Sequence, residues 1–150
     1  MHTEVQFSIF MVNKPGVLAQ VLGEFAQAKV NIIAMTLMDS VEQGVMRIVA
    51  ASESKAREVM KRLNMPYSET KVLCVNLSNR PGALAEVAEK LAKSHINIAY
   101  AYCTAGARGG RTTGVLKVVD VEKAVKILTA KNDRSGKSRP TVRRSPASRK

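Results

Sequence analysis

The stretch Asn13-Lys14-Pro15-Gly16-Val17-Leu18-Ala19 returns 66 positions later as Asn79-Arg80-Pro81-Gly82-Ala83-Leu84-Ala85. A second motif keeps that offset, Val30-Asn31-Ile32 against Ile96-Asn97-Ile98, so the chain carries an internal duplication. Further on, Gly44 before Val45-Met46-Arg47-Ile48-Val49 matches Gly114 before Val115-Leu116-Lys117-Val118-Val119 at an offset of 70. On that alignment the second copy holds four extra residues, in the loop Ala105-Gly106-Ala107-Arg108-Gly109-Gly110.

Each copy reads as the same order of elements. Phe7, Ile9 and Met11 alternate with polar Gln6 and Ser8, and Leu73, Val75 and Leu77 alternate with Asn76 and Ser78, the period of a half-buried strand. Pro-Gly stops each strand and opens a helix, where proline's missing N–H has no partner to lose. Val17, Leu18, Val21, Leu22 and Phe25 recur at helical spacing, as do Leu84, Val87, Ala88 and Leu91. Two apolar runs follow, Ile32 to Met38 and Val45 to Ala51, joined through Asp39-Ser40-Val41-Glu42-Gln43-Gly44 as a hairpin. A second amphipathic helix carries Ala56, Val59, Met60 and Leu63 in one copy and Val121, Ala124, Val125 and Leu128 in the other.

This order predicts an α+β fold of two ferredoxin-like βαββαβ repeats, each a two-layer sandwich with an antiparallel sheet covered by helices on one face. The boundaries fall at residues 1–66, 67–130 and a basic tail at 131–150. Phe10 and Val12 point away from the helices, so the copies are expected to pack together. The closing strand is the weak point. Tyr67-Ser68-Glu69-Thr70 runs almost directly into the next strand, and the second copy passes from Leu128 straight into the tail. A missing edge strand exposes backbone groups, to be covered by a neighbouring repeat or by another chain, which predicts a homodimer or higher homo-oligomer.

Charge separates the tail from the rest. The 24 Lys and Arg against 12 Asp and Glu give +12, and eight of those bases with a single acid, Asp133, fall in residues 131–150. The tail thus holds +7 and residues 1–130 only +5. With Val142 as its sole branched aliphatic residue, the tail is expected to be disordered. It reads either as a solubilising extension or as a salt-sensitive contact to nucleic acid. An RNA-recognition surface is disfavoured, because the central strands Val45–Val49 and Val115–Val119 carry no aromatic residue for base stacking. Cys74 and Cys103 make no disulfide framework, the start has no signal-peptide layout, and no apolar run reaches the roughly 18 residues of a membrane span. These point to a cytoplasmic protein without a membrane partner.

The joining loops carry the chemistry. At Asn13-Lys14-Pro15-Gly16 a strand turns into a helix, so unbonded amides and the positive helix end of Gly16, Val17 and Leu18 face outward to receive a carboxylate. Gly82, Ala83 and Leu84 repeat the arrangement. Asn13 with Asn31, and Asn79 with Asn97, are expected to lie near one another and read a zwitterion, since an amide both donates and accepts. The alternatives are that the glycines serve only the tight turn and that Asn31 and Asn97 cap local backbone. Tyr100 and Tyr102 either line a pocket between copies or pack on the sheet. Cys103 with His95 lacks a third, orienting group, and Cys74, Cys103, His2 and His95 have no metal-ligand spacing. No cofactor and no catalytic residue is expected.

With these residues the chain resembles a tandem ACT-domain protein over about residues 4 to 130. The pattern Asn-Lys/Arg-Pro-Gly-x-Leu-Ala, with Asn-Ile beginning 15 residues after the glycine, occurs twice. The resemblance implies a regulatory module that binds a small amino acid between paired domains and controls an enzyme of amino-acid metabolism. In serine-responsive members an asparagine at the strand end and one in the second strand hold the ligand, which maps those roles onto Asn13 and Asn31 and onto Asn79 and Asn97; their neighbours Lys14, Ile32, Arg80 and Ile98 complete the candidate set. Serine-responsive members have a histidine two residues before the first asparagine. Met11 and Leu77 stand there, which points to a small amino acid other than serine, or to none.

Overall fold

A computed structural model describes residues 1–38, 43–104 and 111–130. The hairpin loop at 39–42, the expected insertion at 105–110 and the basic tail at 131–150 lie outside the described residues. The elements run β1 (His2–Val12), α1 (Val17–Gln27), β2 (Ile32–Met38), β3 (Gln43–Ala50), α2 (Glu53–Leu63), β4 (Tyr67–Ser78), α3 (Ala83–Lys93), β5 (Ile98–Cys103), β6 (Arg111–Val118) and α4 (Val121–Thr129). The six strands among the described residues join one antiparallel sheet in the order β2-β3-β1-β4-β6-β5.

The expected gap at the closing strands is filled inside the chain. β4 is a single strand of 12 residues. Its first part, from Tyr67 to Cys74, pairs with β1 and closes the first copy, and its last part, from Leu73 to Ser78, pairs with β6 and opens the second. Reciprocally, His2, Thr3 and Glu4 of β1 pair with Cys74, Leu73 and Val72 and supply the second copy's missing neighbour. The neighbouring repeat therefore covers the edge, and the oligomer expected on that ground loses this support.

One ladder pair fixes the symmetry. Equivalent residues of the two copies are 66 apart, and in the β1–β4 ladder only Val5 and Lys71, which face each other, have that separation. A local two-fold axis passes through this pair. Beyond the hairpins the offset is 68, not 70: Phe7 pairs with Ile48 while its equivalent Leu73 pairs with Leu116, and the helix N-caps Ser52 and Asp120 agree. The second copy is thus longer by two residues rather than four, and Gly44 corresponds to Thr112, not to Gly114.

The odd-numbered residues of β1 and β4 face the helices and make two cores. Phe7, Ile9 and Met11 meet Val21 and Phe25 of α1 and Val59 and Met60 of α2. Leu73, Val75 and Leu77 meet Leu91 of α3 and Ala124 of α4. Both first helices end alike. Lys29 and His95 adopt φ of 53° and 56°, the left-handed position after a helix. The Val30 and Ile96 amides then reach back to the carbonyls of Phe25 (3.0 Å) and Leu91 (2.9 Å).

The helix-free face curls onto itself. Gln6 on β1 donates to the Tyr100 hydroxyl on β5 at 2.8 Å, although three strand spacings on a flat sheet amount to roughly 14 Å. Arg47 of β3 lies 4.3 Å from the Tyr100 ring centroid. Ala34, Val49, Val72, Cys74 and Val115 form a third cluster on this face, with Tyr102 against it. Phe10 and Val12 stay 41% and 53% exposed, against the expectation that packing of the copies covers them.

Candidate functional site

At the first bend Gly16 is the N-cap of α1 with φ 90° and no side-chain cap. A Cβ built there would meet nothing within 4 Å, so it is the backbone torsion and not crowding that demands glycine. The Val17 amide makes only a long 3.4 Å bond to the Lys14 carbonyl, and the first full helical bond is from Gln20 to Gly16 at 2.9 Å. The amides of Leu18 and Ala19 precede that bond and point outward with the positive helix end. Gly82 repeats the geometry with φ 87° and a Glu86 to Gly82 bond of 2.9 Å.

Beside the first bend lies a cleft of about 300 Å³, lined by Met11, Val12, Asn13, Lys14, Val17, Leu18, Leu37, Met38 and Gly44. The end of β1, the start of α1 and the β2–β3 hairpin strands form its walls. Gly44 sits opposite Met11, and a Cβ on it would touch the Met38 carbonyl oxygen and the Met11 and Leu37 side chains at 3.5–3.8 Å. Val12, Leu37, Met38 and Gly44 were not among the sequence candidates, and for the site Met11 figured only as the residue standing where serine-responsive members have histidine. The signal that could have found them is the hairpin rule, which brings the ends of β2 and β3 beside the end of β1.

The two bends differ in charge. Arg80 Nη2 donates to both Glu86 carboxylate oxygens at 2.7 and 2.6 Å, and this holds the Glu86 carboxyl below the usual carboxylate range. The equivalents in the first copy are Lys14 and Gln20, so that copy has no acid at Glu86's position. Among the described residues Lys14 makes no ion pair.

The asparagines are not brought together. The Asn31 carbonyl accepts from the Ala51 amide at 2.9 Å, beside the end of β3, whereas Val12, next to Asn13, pairs with Gln43 at its beginning. The eight residues of β3 separate them by roughly 25 Å. Asn79 follows Ser78, which pairs with Arg111, and Asn97 precedes Ile98, which pairs with Val118, so the second copy shows the same separation. The expected Asn13–Asn31 and Asn79–Asn97 pairs are therefore corrected: the α1 and α3 crossovers carry the chain back along the sheet before the next strand begins. Ile32 and Ile98 pack against the two helix-side cores. Asn97 lines a separate cleft of about 210 Å³ with Asp120 and Lys123, where the Asp120 side chain caps α4 by accepting from the Lys123 amide at 2.8 Å.

The remaining candidates have structural surroundings. Tyr102 donates to the Gln6 side-chain Oε1 at 3.0 Å, and burial pushes the pKa of its hydroxyl well above the tyrosine norm. Burial likewise pushes the Cys74 thiol up to about 11. No group of three or more His, Cys, Asp or Glu suited to a metal ion occurs among the described residues. No helix among them is long and apolar enough to cross a membrane.

A family profile described as an ACT domain pair matches residues 2–135. The chain belongs to the ACT domain pair family. Among solved structures this ACT pair resembles protein BT0572 from Bacteroides thetaiotaomicron, with 27% identity and a TM-score of 0.77 over 84% of this chain and 86% of that one. It shares its fold with the regulatory subunit of aspartate kinase from Thermus thermophilus, at 14% identity and TM-score 0.62 over 85% and 95% of the two chains. The same subunit from Thermus flavus gives 13% and 0.53 over 83% and 90%. No match was found among curated proteins. Both strand-to-helix bends of the ACT pair fall within the matched residues, and the first of them opens onto the cleft.

Proposed function

We propose that this ACT pair is a non-catalytic sensor that binds a free amino acid at the first bend and controls a partner enzyme of amino-acid metabolism. The observation that carries the reading is the cleft itself: outward helix-start amides, Lys14 and Asn13 converge on a space beside Gly16 that nothing in the described chain fills. The ligand carboxylate would sit on the outward amides of Leu18 and Ala19, next to Gly16 and Val17, with Lys14 beside it, and Asn13 would read the ammonium. The fold shared with aspartate kinase regulatory subunits supports a regulatory role of this kind.

Transmission follows from the walls. A ligand between α1 and the β2–β3 hairpin strands would fix their separation, and β1 carries the change into the second copy through its ladder with β4. Phe10, Val45 and Met38 form one row across β1, β3 and β2 next to the cleft, with Met38 50% exposed. The equivalent row in the second copy is Asn76, Thr113 and Thr104. The apolar row supports docking of the regulated partner, or of a second chain, at the ligand-binding end.

A thermal-shift screen of the free amino acids tests the reading. A ligand at about 100 times its Kd adds roughly 2.7 kcal/mol to stability. A protein whose melting is unmoved by every amino acid is not this sensor.

A further inference from the structure

We infer that the first bend selects an amino acid with a bulky apolar side chain and that the chain binds one such ligand, the second bend having been closed by its own carboxylate. This rests on the reading of the first bend as the amino-acid site. The walls facing the bend are Met11, Val17, Leu18, Leu37 and Met38, and among the described residues no acid lines the cleft. Such a surface rejects a charged or hydroxylated side chain, because its polar atoms would lose water and find no partner. The space of about 300 Å³ equals the share of roughly ten waters, more than a serine or an alanine can displace.

The second copy supplies the contrast. Both Glu86 oxygens already occupy Arg80, the cation equivalent to Lys14. At the positions of Leu37, Met38 and Gly44 it carries Cys103, Thr104 and Thr112, which remove two apolar walls and add a side chain where the first copy has none. Gln20, on exposed α1 surface, stands where the second copy has Glu86, and among the described residues Lys14 has no ion-pair partner.

Isothermal titration of the full chain with L-leucine, L-methionine and L-phenylalanine, and with L-alanine, L-serine, L-aspartate and L-lysine, decides the matter. The first three are expected to bind at one per chain and about tenfold or more tighter than L-alanine, from the additional buried carbon at about 0.8 kcal/mol per methylene. Gln20→Glu, which gives Lys14 the acid that Arg80 has, should weaken the best ligand about fivefold, and Glu86→Gln should leave that affinity unchanged. A circular-dichroism melt confirms that both variants fold. Tightest binding by a polar or charged amino acid, a stoichiometry of two, or an unaffected Gln20→Glu variant overturns the inference while the sensor reading stands. Binding by none of the amino acids overturns both.

Discussion

Gln6 and Val72 hold equivalent places in the two copies and are both fully buried, yet one brings a carboxamide into the helix-free face and the other only methyl groups. Gln6 donates to Tyr100 (2.8 Å) and Ser8 (3.1 Å) and accepts from Tyr102 (3.0 Å), whereas Val72 packs with Ala34, Cys74 and Val115. At this one position the duplication has diverged into a polar and an apolar residue. Gln6→Leu should cost about 1–3 kcal/mol in urea unfolding, because the tyrosine hydroxyls lose their partner in a buried place. Adding Tyr100→Phe and Tyr102→Phe should recover part of that loss.

Gly16→Asp and Gly82→Asp impose similar backbone strain, on φ of 90° and 87° with open space around each Cβ. Each should lower stability by about 1–2 kcal/mol. Amino-acid binding should vanish only in Gly16→Asp, where the new carboxylate faces the ligand's own. Equal affinity in wild type and Gly16→Asp, measured by titration calorimetry, would remove the first bend as the site.

Lys29 and His95 pay for a left-handed residue after α1 and α3 without being glycine. Lys29→Gly and His95→Gly should each raise stability by about 0.5–1 kcal/mol, read as a higher thermal midpoint. His95 thereby has a backbone role, which accounts for its place beside Ile96 without any catalytic partner.

Cys74 is buried with its thiol pushed up to about 11, while Cys103 is exposed. At pH 8 only about one Cys74 in a thousand is thiolate, so iodoacetamide should modify one cysteine of the native chain and two after denaturation. Peptide mass mapping should place the native label on Cys103.

The Arg80–Glu86 pair predicts a pH effect with a definite sign. Glu86 is held below its ordinary value by the Arg80 guanidinium, so whatever stability the pair contributes is present above the ordinary carboxylate range and lost as pH falls through the lowered value. A carboxyl-detected NMR titration should show Glu86 among the more acidic glutamates, returning upward in Arg80→Gln.

The element order and both bends were legible because period-two and helical patterns, Pro-Gly and a constant offset of 66 all agreed. The later offset was misread as 70 for a physical reason: 68 and 70 differ by two, and a shift of two in a strand keeps every side chain on its own face. Pattern alone cannot separate such alignments, whereas the Leu73–Leu116 pairing does. The closing strands were hidden because β4 serves both copies at once within one sheet, and Tyr67–Thr70 looks like a short linker unless the partner β1 is known. The supposed Asn13–Asn31 neighbourhood failed on a rule already available, since a helix between parallel strands returns the chain to the starting end. The cleft's far wall, Leu37 and Met38, needed the three-dimensional hairpin.

The exchange of strand ends between the copies makes them indivisible. Cut at residue 66, the first half would surrender the segment that seals its flank, and the second would be left without His2, Thr3 and Glu4 along Val72, Leu73 and Cys74. Each fragment would present a raw hydrogen-bonding border to its fellows in solution. Ancestry as two modules has ended in a single folding unit, in which loss of either half dissolves the other.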